Sequence, residues 1–247
     1  DVSFKDITDE VACLGVFGPK SRSLMTKLSN DDFSNENFKF GTGKEIKINN
    51  KKIWAQRLSY VGELGFELYI KMDESKEIYN LIIDKGKEFN LSHCGMFAMD
   101  TMRMEKGYLH WGHDMSPEEN QYEAGLKFAI SFKKNIDFVG KKAINKIKEE
   151  KIKKKMVFLT LKESKPGQPL LLHDEPIYCE GEIVGRTTSG NYSFNFKKNM
   201  SFGYINLMLP IQELTKKLFF IEVEKKKYEA ILEPRALHDP DNLTLRK

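Results

Sequence analysis

The sequence predicts an α+β protein in two parts, a mixed α+β part over residues 1–150 and an all-β part over residues 151–247. Three observations carry that prediction. Before residue 150, short apolar strand-like runs alternate with segments whose apolar residues recur every three or four positions. After about residue 154 the helical period is lost, and short β-prone runs are separated by turn signals such as Lys165-Pro166-Gly167 and Ser189-Gly190-Asn191. An apolar fraction of 40% beside 31% charged residues supplies enough material for a core and excludes a disordered chain.

The elements follow in order. Residues 10–17 (EVACLGVF) read as a buried strand. Gly18-Pro19 comes next, and proline suits the first turn of a helix, so residues 19–29, with Leu24 and Leu28 one turn apart, are a predicted short helix. Residues 30–37 are polar and turn-like. Residues 44–49 and 52–60 form a predicted hairpin, in which Ile46 and Ile48 alternate with lysine and Asn49-Asn50 makes the turn. Residues 66–71 are a strand. Its alternation sends Phe66, Leu68 and Ile70 to one side and Glu67 and Tyr69 to the other. Asp73 is the expected N-cap of a helix with an apolar stripe of Ile78, Leu81, Ile82 and Phe89, and Glu74 suits its positive end. Further helices are expected over residues 95–106, closed by Gly107, and over residues 140–153, basic outside with Ile144 and Ile147 inward. Strands over 156–161, 182–188, 201–205, 217–223 and 227–232 then fit a small antiparallel barrel or sandwich.

Composition narrows the function. Forty Lys+Arg against thirty-six Asp+Glu leave a net charge of +4, with the signs interspersed, so no nucleic-acid footprint is implied. The run Lys151–Lys155 reads as a solvated helix end, and a mild basic bias suits an anionic small molecule. Cys13, Cys94 and Cys179 are far apart with no CxxC pair, which speaks against a zinc site or disulfide framework and for a reducing compartment. No apolar run approaches the roughly 20 residues of a membrane helix. Residues 1–9 are acidic and lack the apolar core of a signal peptide. A cytoplasmic protein is expected, or one of the mitochondrial matrix in a eukaryote. The missing initiator Met reads as a processed or excised chain.

Several segments look chemical, and each has a plain structural alternative. In Tyr60-Val61-Gly62-Glu63-Leu64-Gly65-Phe66-Glu67 the two glycines are too sparse for a phosphate loop. Glu67, at the head of an apolar strand, is the unusual residue, although a solvated strand face would also accommodate it. Met96, Met99, Met102 and Met104 read as core filler, while Asp100 and Arg103 are spaced to pair on one helix face. Tyr108-Leu109-His110-Trp111-Gly112-His113-Asp114 holds two histidines three apart beside an aspartate; a metal would need further ligands, so a loop ordering a pocket is expected and no metal. There is no G-x-S-x-G elbow and no G-x-G-x-x-G, which excludes a serine hydrolase of that type and a flavin or nicotinamide domain within this chain.

Taken in sequence, these pieces resemble the glycine-cleavage T-protein (aminomethyltransferase) superfamily. The resemblance rests on Gly18-Pro19-Lys20, the Tyr60–Glu67 segment, Met102-Arg103-Met104-Glu105-Lys106-Gly107, Asp114, Glu123-Ala124-Gly125-Leu126, Phe138-Val139-Gly140-Lys141 and Thr188-Ser189-Gly190. It covers nearly the whole chain. Trp111-Gly112-His113-Asp114 after Glu105-Lys106-Gly107-Tyr108 is more similar to the C-terminal folate domain of sarcosine and dimethylglycine dehydrogenases. The resemblance implies a folate-binding T-protein-like fold: a ferredoxin-like α+β subdomain, with the family's first subdomain missing from this chain, followed by a small antiparallel β-barrel. It implies tetrahydrofolate as cofactor, a small methylated amine as partner, and FAD only on an upstream flavin domain outside the chain. It makes Glu67 the pterin-binding carboxylate, Tyr60 the tyrosine of the folate pocket and Phe128 an aromatic lining it, and counts Arg103 among the cofactor-binding residues. Two departures stand out: Met99 replaces an arginine of T-proteins, and the region of the family's catalytic aspartate is not in this chain, so no catalytic residue is assigned. The implied reaction converts tetrahydrofolate and a methylated amine into 5,10-methylenetetrahydrofolate. A folate-dependent demethylase of another methyl donor is the alternative. A non-catalytic maturation factor would carry Lys-Gly-Cys where this chain has Lys106-Gly107-Tyr108, and a fragment inactive by itself is a further reading.

Overall fold

The computed structural model describes residues 2–134, 136–149 and 152–247; Asp1, Asn135, Glu150 and Lys151, the last part of the basic run, lie outside the described residues. The chain forms two compact units, Asp1–Met99 with Asp241–Lys247, and Asp100–Pro240.

The first unit contains β1 (Val11–Phe17), α1 (Ser21–Leu28), β2 (Gly43–Ile48), β3 (Lys51–Gln56), β4 (Gly65–Lys71) and α2 (Met72–Gly86). The strands form one antiparallel sheet in the order β1-β4-β3-β2. Asn49 and Asn50 take φ of 48° and 63°, the left-handed pair that a two-residue hairpin turn requires. One sheet face supplies Val16, Ile46, Ile53, Phe66, Leu68 and Ile70 to a core closed by Leu24, Met25 and Leu28 of α1 and Ile78 and Ile82 of α2. Each such side chain stabilises the unit by roughly 1.5–3 kcal/mol relative to exposure. Asp73 is not the N-cap of α2. The helix opens at Met72 directly from β4, with Lys71 extended at the cap and no side-chain cap bond. The Met72 N–H is satisfied by the Glu10 carbonyl at 2.9 Å rather than by a side chain; Asp73 and Glu74 lie in the first turn, where they still favour the dipole.

The second unit takes up the end of α3 (Met96–Glu105), then α4 (Lys141–Glu149), β5 (Lys155–Leu161), β6 (Pro176–Cys179), β7 (Glu182–Ser193), β8 (Lys198–Ile205), α5 (Ile211–Leu214), β9 (Phe219–Val223) and β10 (Lys226–Glu233). The strands close into a barrel in the order β10-β5-β8-β7-β6-β9, which decides between barrel and sandwich. Its interior is filled by residues such as Leu159, Leu161, Ile177, Phe219 and Ile221, and a smaller cluster of Met104, Phe158, Met200 and Phe202 packs α3 on the outer wall. Gly107, at φ 80°, closes α3: its N–H bonds the Met104 carbonyl at 2.9 Å and the Tyr108 N–H bonds the Arg103 carbonyl at 2.9 Å, a Schellman pattern.

Two further expectations change here. Ser189-Gly190-Asn191 is not a turn but the middle of β7, paired with β8. Gly190 serves close approach, since a Cβ there would stand 2.6 Å from the Leu171 backbone. Among the described residues the basic helix covers Lys141–Glu149 and residues 152 and 153 are not helical; the Lys153 N–H turns to the Glu123 carboxylate at 3.4 Å. The short elements β6 and α5 carried no periodic signal in the sequence.

Candidate functional site

Because β4 buries Phe66, Leu68 and Ile70, Glu67 and Tyr69 emerge on the opposite sheet face, both half-buried. Glu67 stands across from Gly15 of β1 and Gln56 of β3, and Tyr69 across from Cys13 and Trp54. The Tyr69 hydroxyl donates to Glu67 Oε2 at 2.8 Å. That bond to the carboxylate, reinforced by burial and by the Glu67 charge, pushes the phenol up to about 12. Burial, then the same charge, raises the Cys13 thiol. Gly15 and Gly65 leave the floor beside Glu67 without side chains, and the Phe17 ring lies over both, so that a Cβ at either would clash with it. The patch therefore presents a carboxylate, a phenol and a flat apolar ring on one rigid sheet.

Tyr60 is half-buried in the β3–β4 loop of the same unit. The loop is tied down at both ends. Arg57, fully buried, donates Nη1 to the Phe38 carbonyl at 2.6 Å and Nη2 to the Lys247 carbonyl at 2.7 Å. The Leu64 carbonyl accepts from the Gly18 N–H at 2.8 Å and from Ser21 Oγ at 3.2 Å, which joins the Gly18-Pro19-Lys20 motif to the Tyr60–Glu67 motif.

Arg103 and Phe128 belong to the second unit. Arg103 is 1% exposed. Its Nε donates to Asp100 Oδ1 at 2.7 Å, Nη1 to Asp114 Oδ2 at 2.5 Å and to the Tyr108 carbonyl at 3.0 Å, and Nη2 to Ser189 Oγ at 2.9 Å, while Nη2 and Asp100 Oδ1 form an ion pair at 2.7 Å. Four guanidinium N–H groups are thus hydrogen-bonded within the unit. Asp114 also accepts from the His110 N–H at 2.8 Å and from Thr188 Oγ1 at 2.5 Å. The pairing of β7 with β8 shifts between Thr187 and Ser189. In a regular strand Thr188 and Ser189 would face opposite ways; the β-bulge lets both hydroxyls reach one ion pair. Phe128 rides a 3₁₀ turn, Lys127–Ala129, and is 84% exposed.

Sequence reasoning found the Asp100–Arg103 pair from its spacing, but not the joining of Arg103, Asp114, Thr188 and Ser189. Arg103 is 11 residues from Asp114 and 86 from Ser189, and no short-range period could signal that contact. Tyr69 was placed on the face of Glu67 by alternation alone, without its hydrogen bond. A cleft of about 650 Å³ in the second unit, lined in part by His113, Glu119, Lys154, Arg186 and Tyr204, had no sequence signal. Lys154 pairs there with Glu119 at 2.6 Å and lies 4.7 Å over the Tyr204 ring. Burial works to raise the Glu119 carboxyl, yet the Lys154 and Ser116 hydrogen bonds hold it below its ordinary value. Burial, with Glu119, Asp114 and Glu123 nearby, pushes the Tyr204 phenol up.

Comparison with known proteins agrees with this architecture. Residues 1–134 match the family profile described as GCVT N-terminal domain, and residues 154–239 match the glycine cleavage T-protein C-terminal barrel domain. Human mitochondrial dimethylglycine dehydrogenase is 37% identical over 249 residues, covering 100% of this chain and 28% of that protein. The aminomethyltransferase of Geobacillus sp. (strain WCH70) is 34% identical over 224 residues, covering 91% of this chain and 59% of that enzyme. The crystal structure of glycine cleavage system aminomethyltransferase T from Bartonella henselae, 20% identical, shares the fold with a TM-score of 0.76 over 96% of this chain and 60% of that one. The chain thus spans 28% of the dehydrogenase and 59% of the transferase. With both family domains matched in order, and the second folded as the closed six-strand barrel, the chain belongs to the glycine-cleavage T-protein family.

Proposed function

We propose that this chain is a tetrahydrofolate-dependent one-carbon transfer module. Its reaction captures a methylene group from a methylated amine, such as dimethylglycine, sarcosine or an aminomethyl donor, and gives 5,10-methylenetetrahydrofolate. The observation that carries the proposal is the Glu67 carboxylate on its rigid sheet. Its Oε2 accepts from Tyr69, and among the described residues no hydrogen bond engages Oε1. The residues fit a reduced pterin. Two adjacent N–H donors on that ring match the two-pronged acceptor of a carboxylate, and the Phe17 ring offers a flat apolar surface beside it.

When bound, the reduced folate supplies the nucleophilic nitrogen of the transfer. The chain's own residues bind and orient it: Glu67 grips the pterin edge, and Tyr60 lines the pocket from a loop pinned by Arg57. Phe128 and Arg103 are proposed cofactor-binding residues of the second unit, Phe128 through its exposed ring. Arg103, hydrogen-bonded to Tyr108, Asp114 and Ser189, would serve that binding indirectly, by holding the 108–114 loop against β7. Residues 1–150 are the proposed folate-binding part and residues 151–247 the barrel part. A flavin domain bearing FAD, outside this chain, would oxidise the amine. The proposed site of action is the cytoplasm, or the mitochondrial matrix in a eukaryote; among the described residues no helix is long and apolar enough to cross a membrane.

Glu67→Ala in the intact protein tests the reading by titration calorimetry with tetrahydrofolate. Loss of a gripping carboxylate should weaken binding by about 30- to 100-fold, with little change in melting temperature because Glu67 is only half-buried. Unchanged affinity would remove the assignment.

A further inference from the structure

We propose that Tyr69 is a positioning residue of this site: its hydroxyl sets the orientation of the Glu67 carboxylate and thereby selects ligands that present two adjacent N–H donors. The inference rests on the folate reading above and deepens it.

The two side chains leave β4 on the same face, two residues apart, or roughly 6.6 Å along an extended strand. That is within reach of a phenol leaning along the strand, and the hydroxyl meets Glu67 Oε2 at 2.8 Å. A glutamate on a half-exposed strand face otherwise samples many rotamers, and a ligand gripping it must immobilise them. Tyrosine has only two side-chain torsions, and its ring is bracketed across the strands by Cys13 and Trp54. It is the stiffer partner and therefore imposes its geometry on Glu67.

The direction of the hydrogen bond matters as well. The phenol is pushed up to about 12, so at neutral pH it remains the donor to Glu67 Oε2. With one site of Oε2 taken, the carboxylate edge turned to the ligand offers Oε1 and the remaining lone pair of Oε2. An edge with two parallel N–H donors satisfies both. An edge that replaces the exocyclic amino group with hydrogen leaves one acceptor unsatisfied, and one that replaces it with a carbonyl sets oxygen against oxygen.

The test compares Tyr69→Phe, Glu67→Ala and the double variant in the intact protein. The probes are tetrahydrofolate and its 2-desamino analogue, titrated calorimetrically, with melting temperatures recorded in parallel. Tyr69→Phe should weaken tetrahydrofolate binding about tenfold, the size of one charge-assisted hydrogen bond. It should shrink the preference for tetrahydrofolate over the analogue by a similar factor, and add nothing to Glu67→Ala in the double variant. A purely structural tyrosine would lower the melting temperature and weaken both probes equally, which would overturn the inference. So would Tyr69→Phe retaining both affinity and preference while Glu67→Ala loses them; the folate reading would then survive without Tyr69. If Glu67→Ala itself changes nothing, the folate reading falls and this inference falls with it.

Discussion

Asp114→Asn is the most demanding perturbation of the second unit. Asp114 is 1% exposed and joins the Arg103 guanidinium, the Thr188 hydroxyl and the His110 N–H at 2.5, 2.5 and 2.8 Å. The amide keeps the size and can still accept one bond. It removes the buried counter-charge, however, and leaves Arg103 to share only Asp100, whose side chain is 34% exposed. Removing one partner of a buried pair costs about 3–5 kcal/mol, and the retained acceptor oxygen places this substitution near the lower end, about 3 kcal/mol. For a unit of this size that is a fall of about 6–12 °C in melting temperature. Calorimetry and urea unfolding would read it, with Trp111 fluorescence in a Trp54→Phe background reporting on the loop that Asp114 holds. Adding Arg103→Met should recover part of the loss, because the uncompensated guanidinium goes with it. A loss under about 0.5 kcal/mol, or losses at Asp114 and Arg103 that simply add, would refute the view that this ion pair organises the unit.

Two other expectations concern separate features. Gly190→Ala should destabilise the barrel by about 3 kcal/mol in urea unfolding, since the new methyl meets the Leu171 backbone, which cannot swing aside as a side chain could; a neutral result would show that β7 can shift away from Leu171. Asp31 governs an acid limb. The Lys47 N–H, aided by Ser29 and nearby lysines, holds its carboxyl below the ordinary value of 3.8. The native state thus binds the proton more weakly than the unfolded chain. The stability Asp31 confers is fully present above that ordinary value and is lost as pH falls through the depressed native one. Asp31→Asn should flatten the fall in melting temperature of the first unit below about pH 4, and an unchanged acid limb would exclude Asp31 as its source.

Much of the fold was legible because its signals are local. Ile46 and Ile48 alternate, Asn49-Asn50 marks the hairpin, and Gly107 closes α3, all within a few residues. What escaped depends on distance along the chain. Gly190 reads as a turn until Leu171 is seen to crowd it, and Asp73 reads as a cap until the Glu10 carbonyl is found serving the helix start. The candidate site divides in the same way. Alternation alone puts Glu67 on the face away from the core, whereas the role of Tyr69 needs the register of β1 and β3 against β4. The Arg103 cluster needs a bulge, and no composition or period encodes one.

That bulge at Thr188 places β7 in an unusual mutational position. Deleting a single residue there would restore regular pairing with β8 and improve the strand by every local measure. It would also turn one of the two hydroxyls away from Asp114 and Arg103, loosening the loop they fasten. A search that rewards strand regularity would prefer this deletion, and selection on the folded molecule would reject it. Length at this point in the chain should therefore tolerate less change than residue identity in the surrounding barrel.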